Sequence, residues 1–295
     1  MENIIECINL THYYNKRLIY KNLNFSVSKG RILGLLGKNG TGKTTTINIL
    51  SGYLKPTSGQ CLIFGENANC ISPETRCKIG LLIEGHVQYQ FMNIEQIEEF
   101  YSQFYPTRWK REIYYELIKK LNVDPNQKIY KMSNGQRSQV ALGLILAQDP
   151  ELLILDDFSL GLDAGYRRLF LELLHEYAKA ENKTIFVTSH IIQDMEQLID
   201  DCIIMDYGKI ILQQPVKELT DTLKRYTCSI KTKVPREIEG CYHPTIVKNK
   251  MEFHSFLQKP EVEQALNKAG VEYSNLQPQR KLSLEDAFIG LTGKY

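Results

Sequence analysis

The stretch Gly37-Lys38-Asn39-Gly40-Thr41-Gly42-Lys43-Thr44 decides the fold. It matches the eight-residue pattern of a phosphate-binding loop, in which glycines let the backbone curl until its N–H groups point at phosphate oxygens. The compact apolar run at residues 31–36 predicts a strand entering the loop. Residues 44–50, with Ile47 and Leu50 spaced as on a helix face, predict a helix leaving it. That helix would add its positive end to the anion site. Lys43 is placed to reach the β and γ phosphates of a nucleotide, and the Thr44 hydroxyl to ligate a magnesium ion bridged to it. Residues 37–44, with Thr45 next in line, form the expected phosphate-contacting set. An accidental glycine-rich turn is the competing reading, and the strand before and helix after argue against it.

Outward from the loop, residues 1–30 alternate apolar and polar in short bursts. Turn chemistry at Tyr14-Asn15-Lys16 and Ser28-Lys29-Gly30 predicts an antiparallel strand pair. Residues 93–121 read as helical, with Phe100, Tyr101, Phe104, Tyr105, Trp109, Tyr114 and Tyr115 covering one broad face and Pro106 breaking the helix in two. Apolar runs at residues 152–155, 184–188 and 202–205, separated by helical patterns, predict a mostly parallel sheet. Past Pro215 the alternation stops, and Pro235, Pro244, Pro260 and Pro278 punctuate a small α+β segment. The expected fold is α/β: a P-loop core, an antiparallel β subdomain, a helical subdomain near residues 86–150, and a C-terminal α+β segment. The boundaries read as 1–215 and 216–295.

The chain has 295 residues, enough for a sizeable core. Its 36 Lys plus Arg against 34 Asp plus Glu leave a net charge of +2, which gives no reason to expect nucleic acid as a partner. Seven scattered cysteines include no Cys-x-x-Cys pair and suit a reducing compartment. The start lacks the basic stretch and apolar block of a signal peptide, and no run approaches the ~20 apolar residues that span a bilayer. A cytoplasmic protein with one nucleotide unit per chain is expected.

Further segments, in order, resemble the ABC transporter ATP-binding domain over about residues 1–215. Tyr14 stands where that family carries an aromatic that stacks on adenine; Tyr13 is the neighbouring candidate, and a strand-pair core residue is the plainer reading. Met132-Ser133-Asn134-Gly135-Gln136 resembles the family signature, Leu-Ser-Gly-Gly-Gln, which opens a helix and contacts the γ-phosphate held by the opposite subunit. Asn134 departs from the usual Gly, and Asn tolerates a left-handed bend better than most residues. Leu152-Leu153-Ile154-Leu155-Asp156 resembles the Walker B strand, implying that Asp156 helps hold magnesium. The next residue is Asp157, where the family has a Glu that polarises the attacking water. The carboxylate is thereby withdrawn by ~1.5 Å, and slow hydrolysis is expected. Gly161-Leu162-Asp163 resembles the D-loop, and His190 the switch histidine. Glu84 stands where the family has a Gln linking the magnesium site to the membrane partner, with Gln88 as a fallback.

The resemblance implies an ATP-binding subunit that hydrolyses Mg-ATP at a dimer interface, homodimeric or heterodimeric. It would drive a separately encoded permease, as an exporter of peptide, antibiotic or lipid, from the inner face of the membrane. The permease would insert a short helix into a groove near residues 84–104. Leu282-Ser283-Leu284-Glu285-Asp286-Ala287-Phe288-Ile289-Gly290-Leu291-Thr292-Gly293 resembles the close of subunits serving separate permeases. Two rivals stay open. A degenerate subunit paired with a competent one is suggested by Glu84, Asn134 and Asp157. A cytosolic non-transport ABC ATPase is opposed by the single nucleotide unit and the absence of long coiled coils.

Overall fold

The computed structural model describes residues 2–83, 89–120, 124–159, 162–189, 191–232, 234–279 and 281–293. Glu84, Gln88, Gly161 and His190, singled out above, lie outside them.

Two long strands open the chain, β1 (Asn3–Tyr14) and β2 (Arg17–Ser28). They form the expected antiparallel pair, with Tyr14 opposite Arg17 across a turn where Asn15 adopts φ 55°. Strand β3 (Ile32–Gly37) then runs into the phosphate loop, and α1 (Lys43–Leu50) leaves it. Strands β4 (Ser58–Ile63) and β5 (Glu66–Asn67) return to the first sheet, giving the order β2-β1-β4-β5. The short α2 (Pro73–Arg76) leads to β6 (Ile79–Leu82) at the edge of the central sheet.

The central sheet is completed by β7 (Leu152–Asp156), β8 (Thr184–Thr188), β9 (Asp201–Asp206) and β10 (Lys209–Pro215), in the order β10-β9-β3-β8-β7-β6. All its pairs are parallel except β9 with β10. Strands buried on both faces read as continuous apolar runs, and their side chains still sort by the two-residue period. Leu153, Leu155, Ile185, Val187, Cys202 and Ile204 enter one core. Leu152, Ile154, Phe186, Ile203 and Met205 enter the other, against β1, β2, β4 and α1. The outer layer of the first core contains α6 (Ala164–Ala180) and α7 (Ile192–Leu198).

Between β6 and β7 lie α3 (Ile94–Ser102), α4 (Arg111–Lys119) and α5 (Asn134–Ala147), around a core of Ile94, Ile97, Tyr114, Ile118, Ile129, Met132, Val140 and Leu144. The helical pattern breaks between Ser102 and Arg111, around Pro106 as expected. The aromatics do not share one face, because the two helices turn them to different surroundings. Tyr114 is fully buried and donates its hydroxyl to the Ile94 carbonyl at 3.0 Å. Phe100 instead lies half-buried in a cluster with Tyr89, Phe91 and Phe104, all three of which are exposed. Glu98, only 1% exposed, ties the two helices together by accepting from Trp109 Nε1 at 2.7 Å and Arg111 Nη2 at 2.8 Å. Glu98→Ala removes those acceptors and leaves the indole N–H without its partner. It is expected to cost about 1–3 kcal/mol in urea unfolding; a change within error would show that solvent replaces the carboxylate.

After β10, α8 (Val216–Thr222) packs back on the first core. The chain then forms β11 (Lys224–Ile230), β12 (Tyr242–Val247), β13 (Lys250–Ser255), α9 (Lys259–Lys268) and β14 (Tyr273–Gln279). The antiparallel order is β12-β13-β11-β14, over a separate core of Tyr226, Met251, Phe253, Val262 and Leu266. The final helix, α10 (Leu284–Thr292), returns to the first core through Leu284, Ala287, Phe288 and Leu291. Its far end meets the phosphate loop, where Lys38 Nζ donates to the Thr292 carbonyl at 2.6 Å.

Candidate functional site

Parallel pairing brings several strand ends to one edge of the sheet. Leu82 registers with Leu155, Asp156 with Thr188, and Thr188 with Leu35 near the end of β3. Open α/β sheets bind ligands at this carboxyl edge, and the phosphate loop and the Asp156-Asp157 pair both emerge there.

The loop is held open from within. Lys43, 5% exposed, donates its ammonium to the carbonyls of Gly37 at 2.8 Å and Lys38 at 3.3 Å. Thr41 donates its hydroxyl to the same Lys38 carbonyl at 2.8 Å. Burial pulls the Lys43 pKa below the usual lysine value, while the carboxylates of Asp157 and Asp156 draw it back up. Gly42 sits at φ 107°, and a Cβ there would come within 2.8 Å of the Tyr20 ring. Only glycine suits both demands. Whereas Ser133, Asp163 and Ser283 cap α5, α6 and α10, no side chain caps α1 and no acid occupies its first turn. Its N-terminal N–H groups are therefore available to an anion. Thr44 is exposed at the loop mouth, whereas Thr45 is buried.

Asp156, 2% exposed, accepts the Thr188 hydroxyl at 2.5 Å. Asp157 donates its backbone N–H to the Thr188 carbonyl at 3.1 Å and adopts φ 43°. An Asp fits that left-handed backbone better than most residues. The hydroxyl of Thr44 and the carboxylate of Asp156 are hard oxygen donors of the kind magnesium takes beside nucleotide phosphates. Among the described residues, no group of three or more His, Cys, Asp or Glu side chains forms a cage by itself.

A cleft of about 470 Å³ flanks the loop. It is lined by Lys38, Asn39, Gly40 and Thr41, by residues 17–21 of β2, and by the turn at Asp206-Tyr207-Gly208-Lys209. Sequence reasoning missed Arg17, Lys21 and Lys209, which place basic groups around a site suited to an anion. Arg17 and Lys21, four residues apart on β2, and Lys209 at the start of β10 form no local motif, and only the fold brings them together. Tyr13 and Tyr14 are 38% and 43% exposed, so neither is a core residue; Tyr14 meets His12 edge-on at 4.8 Å.

The signature segment stands apart from this cleft, on the helical layer. Ser133 caps α5 by accepting from Gln136 N at 3.2 Å, and Gln136 Oε1 accepts from Ser133 N at 2.9 Å. The Gln136 side-chain oxygen is thus used on its own helix. A left-handed bend at Asn134 is not found: Asn134 is the first residue of α5, and its side chain accepts from Arg137 Nη2 at 2.5 Å. Asn therefore fits here by bonding within the first helical turn. Asp163 of the D-loop segment caps α6, accepting from Tyr166 N at 3.0 Å.

Comparison with known proteins agrees with this geometry. The ABC transporter family model matches residues 20–159. The bacitracin transport ATP-binding protein of Bacillus licheniformis is 35% identical over 77% of this chain and 74% of its own length. A Nod factor export ATP-binding protein of Cupriavidus metallidurans is 28% identical over 100% of this chain and 99% of its own. The solved ATP-binding subunit of an ABC transporter superposes with a TM-score of 0.65 at 23% identity, over 73% of this chain and 91% of that one. A dimeric ATP-binding cassette holding ADP and phosphate superposes at 0.62 with 23% identity, over 72% and 98%. These likenesses, added to the loop, the acid pair and the strand order, establish that the chain is an ATP-binding subunit of the ABC transporter family.

Proposed function

We propose that two such chains, or this chain and a related one, close head to tail over ATP, each nucleotide lying between one chain's phosphate loop and the other's signature. The observation carrying this reading is the separation within one chain. The cleft beside the loop is lined by β2 and the β9–β10 turn, and not by Ser133, Asn134, Gly135 or Gln136. Completing the site with a second copy gives those helix-capping residues an anion to meet. Lys43 and the α1 N–H groups bind phosphate, and Thr44 with Asp156 holds magnesium, which would offset charge on the phosphates. Tyr14, with Tyr13 as its alternative, stacks on the base. Asp157 polarises the attacking water, and His190 and Glu84 carry the roles that the family resemblance implies, sensing the γ-phosphate and linking the magnesium site to the permease.

The motor drives a separate permease. Among the described residues no helix is long and apolar enough to cross a membrane. The exposed aromatic cluster continues into a groove lined by Phe91, Met92, Gln96, Phe100 and Lys128, a surface suited to an amphipathic helix of the permease. The chain acts from the inner membrane face in export of a peptide, antibiotic or lipid, a reading supported by relatives named for bacitracin transport and Nod factor export. A second reading, in which this chain is the slower member of a heterodimer, is favoured by Asp157 in place of Glu.

Complementation tests the composite site. Lys43→Met and Ser133→Arg chains are each expected to be inactive alone, and their mixture to regain hydrolysis, because one mixed site then carries both intact halves. A mixture as inactive as its components would exclude the head-to-tail arrangement of two copies of this chain.

A further inference from the structure

Two helices that begin at proposed interface motifs, α5 after the signature Ser133 and α6 after the D-loop Asp163, are joined by one side chain. A Cβ on Gly135 would lie 2.7 Å from Tyr166 Cδ2, 2.9 Å from Cε2 and 3.0 Å from Cγ. The tyrosine ring therefore rests directly on the α5 backbone at its second residue. Gly135 is not among the residues with positive φ, so glycine is needed there for this close approach and not for backbone conformation. At its other end Tyr166 is anchored by its own N–H to the Asp163 carboxylate. The half-buried ring packs against both the core beneath the central sheet and the core of the helical layer. Among the partly buried apolar side chains of the described residues it is the one that packs against both.

We propose that Tyr166 is a positioning residue. Its planar ring acts as a spacer that sets the signature helix start and the end of the D-loop at one separation, so that both reach the opposite chain's nucleotide together. Tyr166 does not touch the nucleotide; it acts through Gly135 and Asp163. The inference rests on the head-to-tail reading above. Aromatic rings have few rotatable bonds and bury large, rigid area, which suits a spacer. A misplacement of ~1 Å between such groups is enough for about a 100-fold loss of rate.

The test compares the parent chain with Tyr166→Phe, Tyr166→Leu and Tyr166→Ala. It follows ATP affinity of the monomer by calorimetry, ATP-driven association by light scattering, and kcat for hydrolysis. Tyr166→Leu keeps apolar bulk for both cores, so it remains informative where Tyr166→Ala fails to fold. Expected are unchanged monomer affinity in all folded variants, association and kcat lowered about 100-fold in Tyr166→Leu, and parent-like values in Tyr166→Phe. Parent-like association and kcat in Tyr166→Leu overturn the inference, as does loss of monomer affinity in step with kcat, which would mark general structural damage. A Phe variant as impaired as the Leu variant overturns the planar spacer as well. A parent chain that does not associate with ATP overturns head-to-tail pairing of two copies of this chain and this inference with it; a parent that associates beside an equally competent Leu variant overturns this inference alone.

Discussion

Asp157→Asn is expected to lower steady-state ATP hydrolysis by about 100-fold or more while leaving ATP binding intact, so that ATP-bound dimers accumulate. The substitution keeps the side chain's shape and removes its charge. It also keeps a residue that tolerates the left-handed backbone at φ 43°, so the strand end and the N–H bond to Thr188 should survive. The reasoning depends on Asp157 being the carboxylate that prepares water. A variant with the parent's rate would remove it from that role. Asp157→Glu separates the two readings of the natural chain. It restores the missing reach, and placing Glu in a left-handed conformation costs on the order of 1 kcal/mol of stability. A parent chain that hydrolyses ATP, with the Asn variant inactive, supports a self-sufficient motor. A parent that binds ATP and turns over only as Asp157→Glu supports a switch that depends on a competent partner chain.

Lys43→Met should weaken ATP binding by about 10- to 100-fold and reduce hydrolysis of saturating ATP by a further ~100-fold. The ammonium sits inside the loop, bonded to the Gly37 and Lys38 carbonyls at the mouth where phosphates enter, so little reorganisation precedes its contact with them. Methionine matches the length of the stem without the charge. Thr41 retains its own two bonds to the Lys38 carbonyl, so the loop should keep its form. Because burial already disfavours the charged amine, thermal stability without nucleotide is expected to hold or rise. Calorimetric titration with ATP decides the matter: parent-like affinity would show that phosphate is held by the backbone N–H groups alone.

Much of this protein was legible before its structure because the relevant physics is local. Glycines at fixed spacing make a phosphate loop, and continuous apolar runs make strands buried on both faces. The strand pair at the start, the parallel sheet and the break around Pro106 follow from such short-range rules. Expectations failed where the outcome depended on what a residue packs against. The aromatics of residues 100–115 divide between core and surface according to how α3 and α4 meet, which periodicity does not specify. Asn134 needs no left-handed bend because α5 begins there.

Residue patterns alone specify one phosphate loop followed by a helix, an acidic pair at the end of an apolar strand, and a helix start bearing the signature residues. Three-dimensional packing alone selects which distant segments complete the site: Arg17 and Lys209 beside the loop, the Thr292 carbonyl on Lys38, Thr188 on Asp156, and Tyr166 against Gly135. Those contacts join residues separated by as many as 254 positions. They arise from close packing of whole elements, in which the fit of each side chain depends on neighbours that no local pattern encodes.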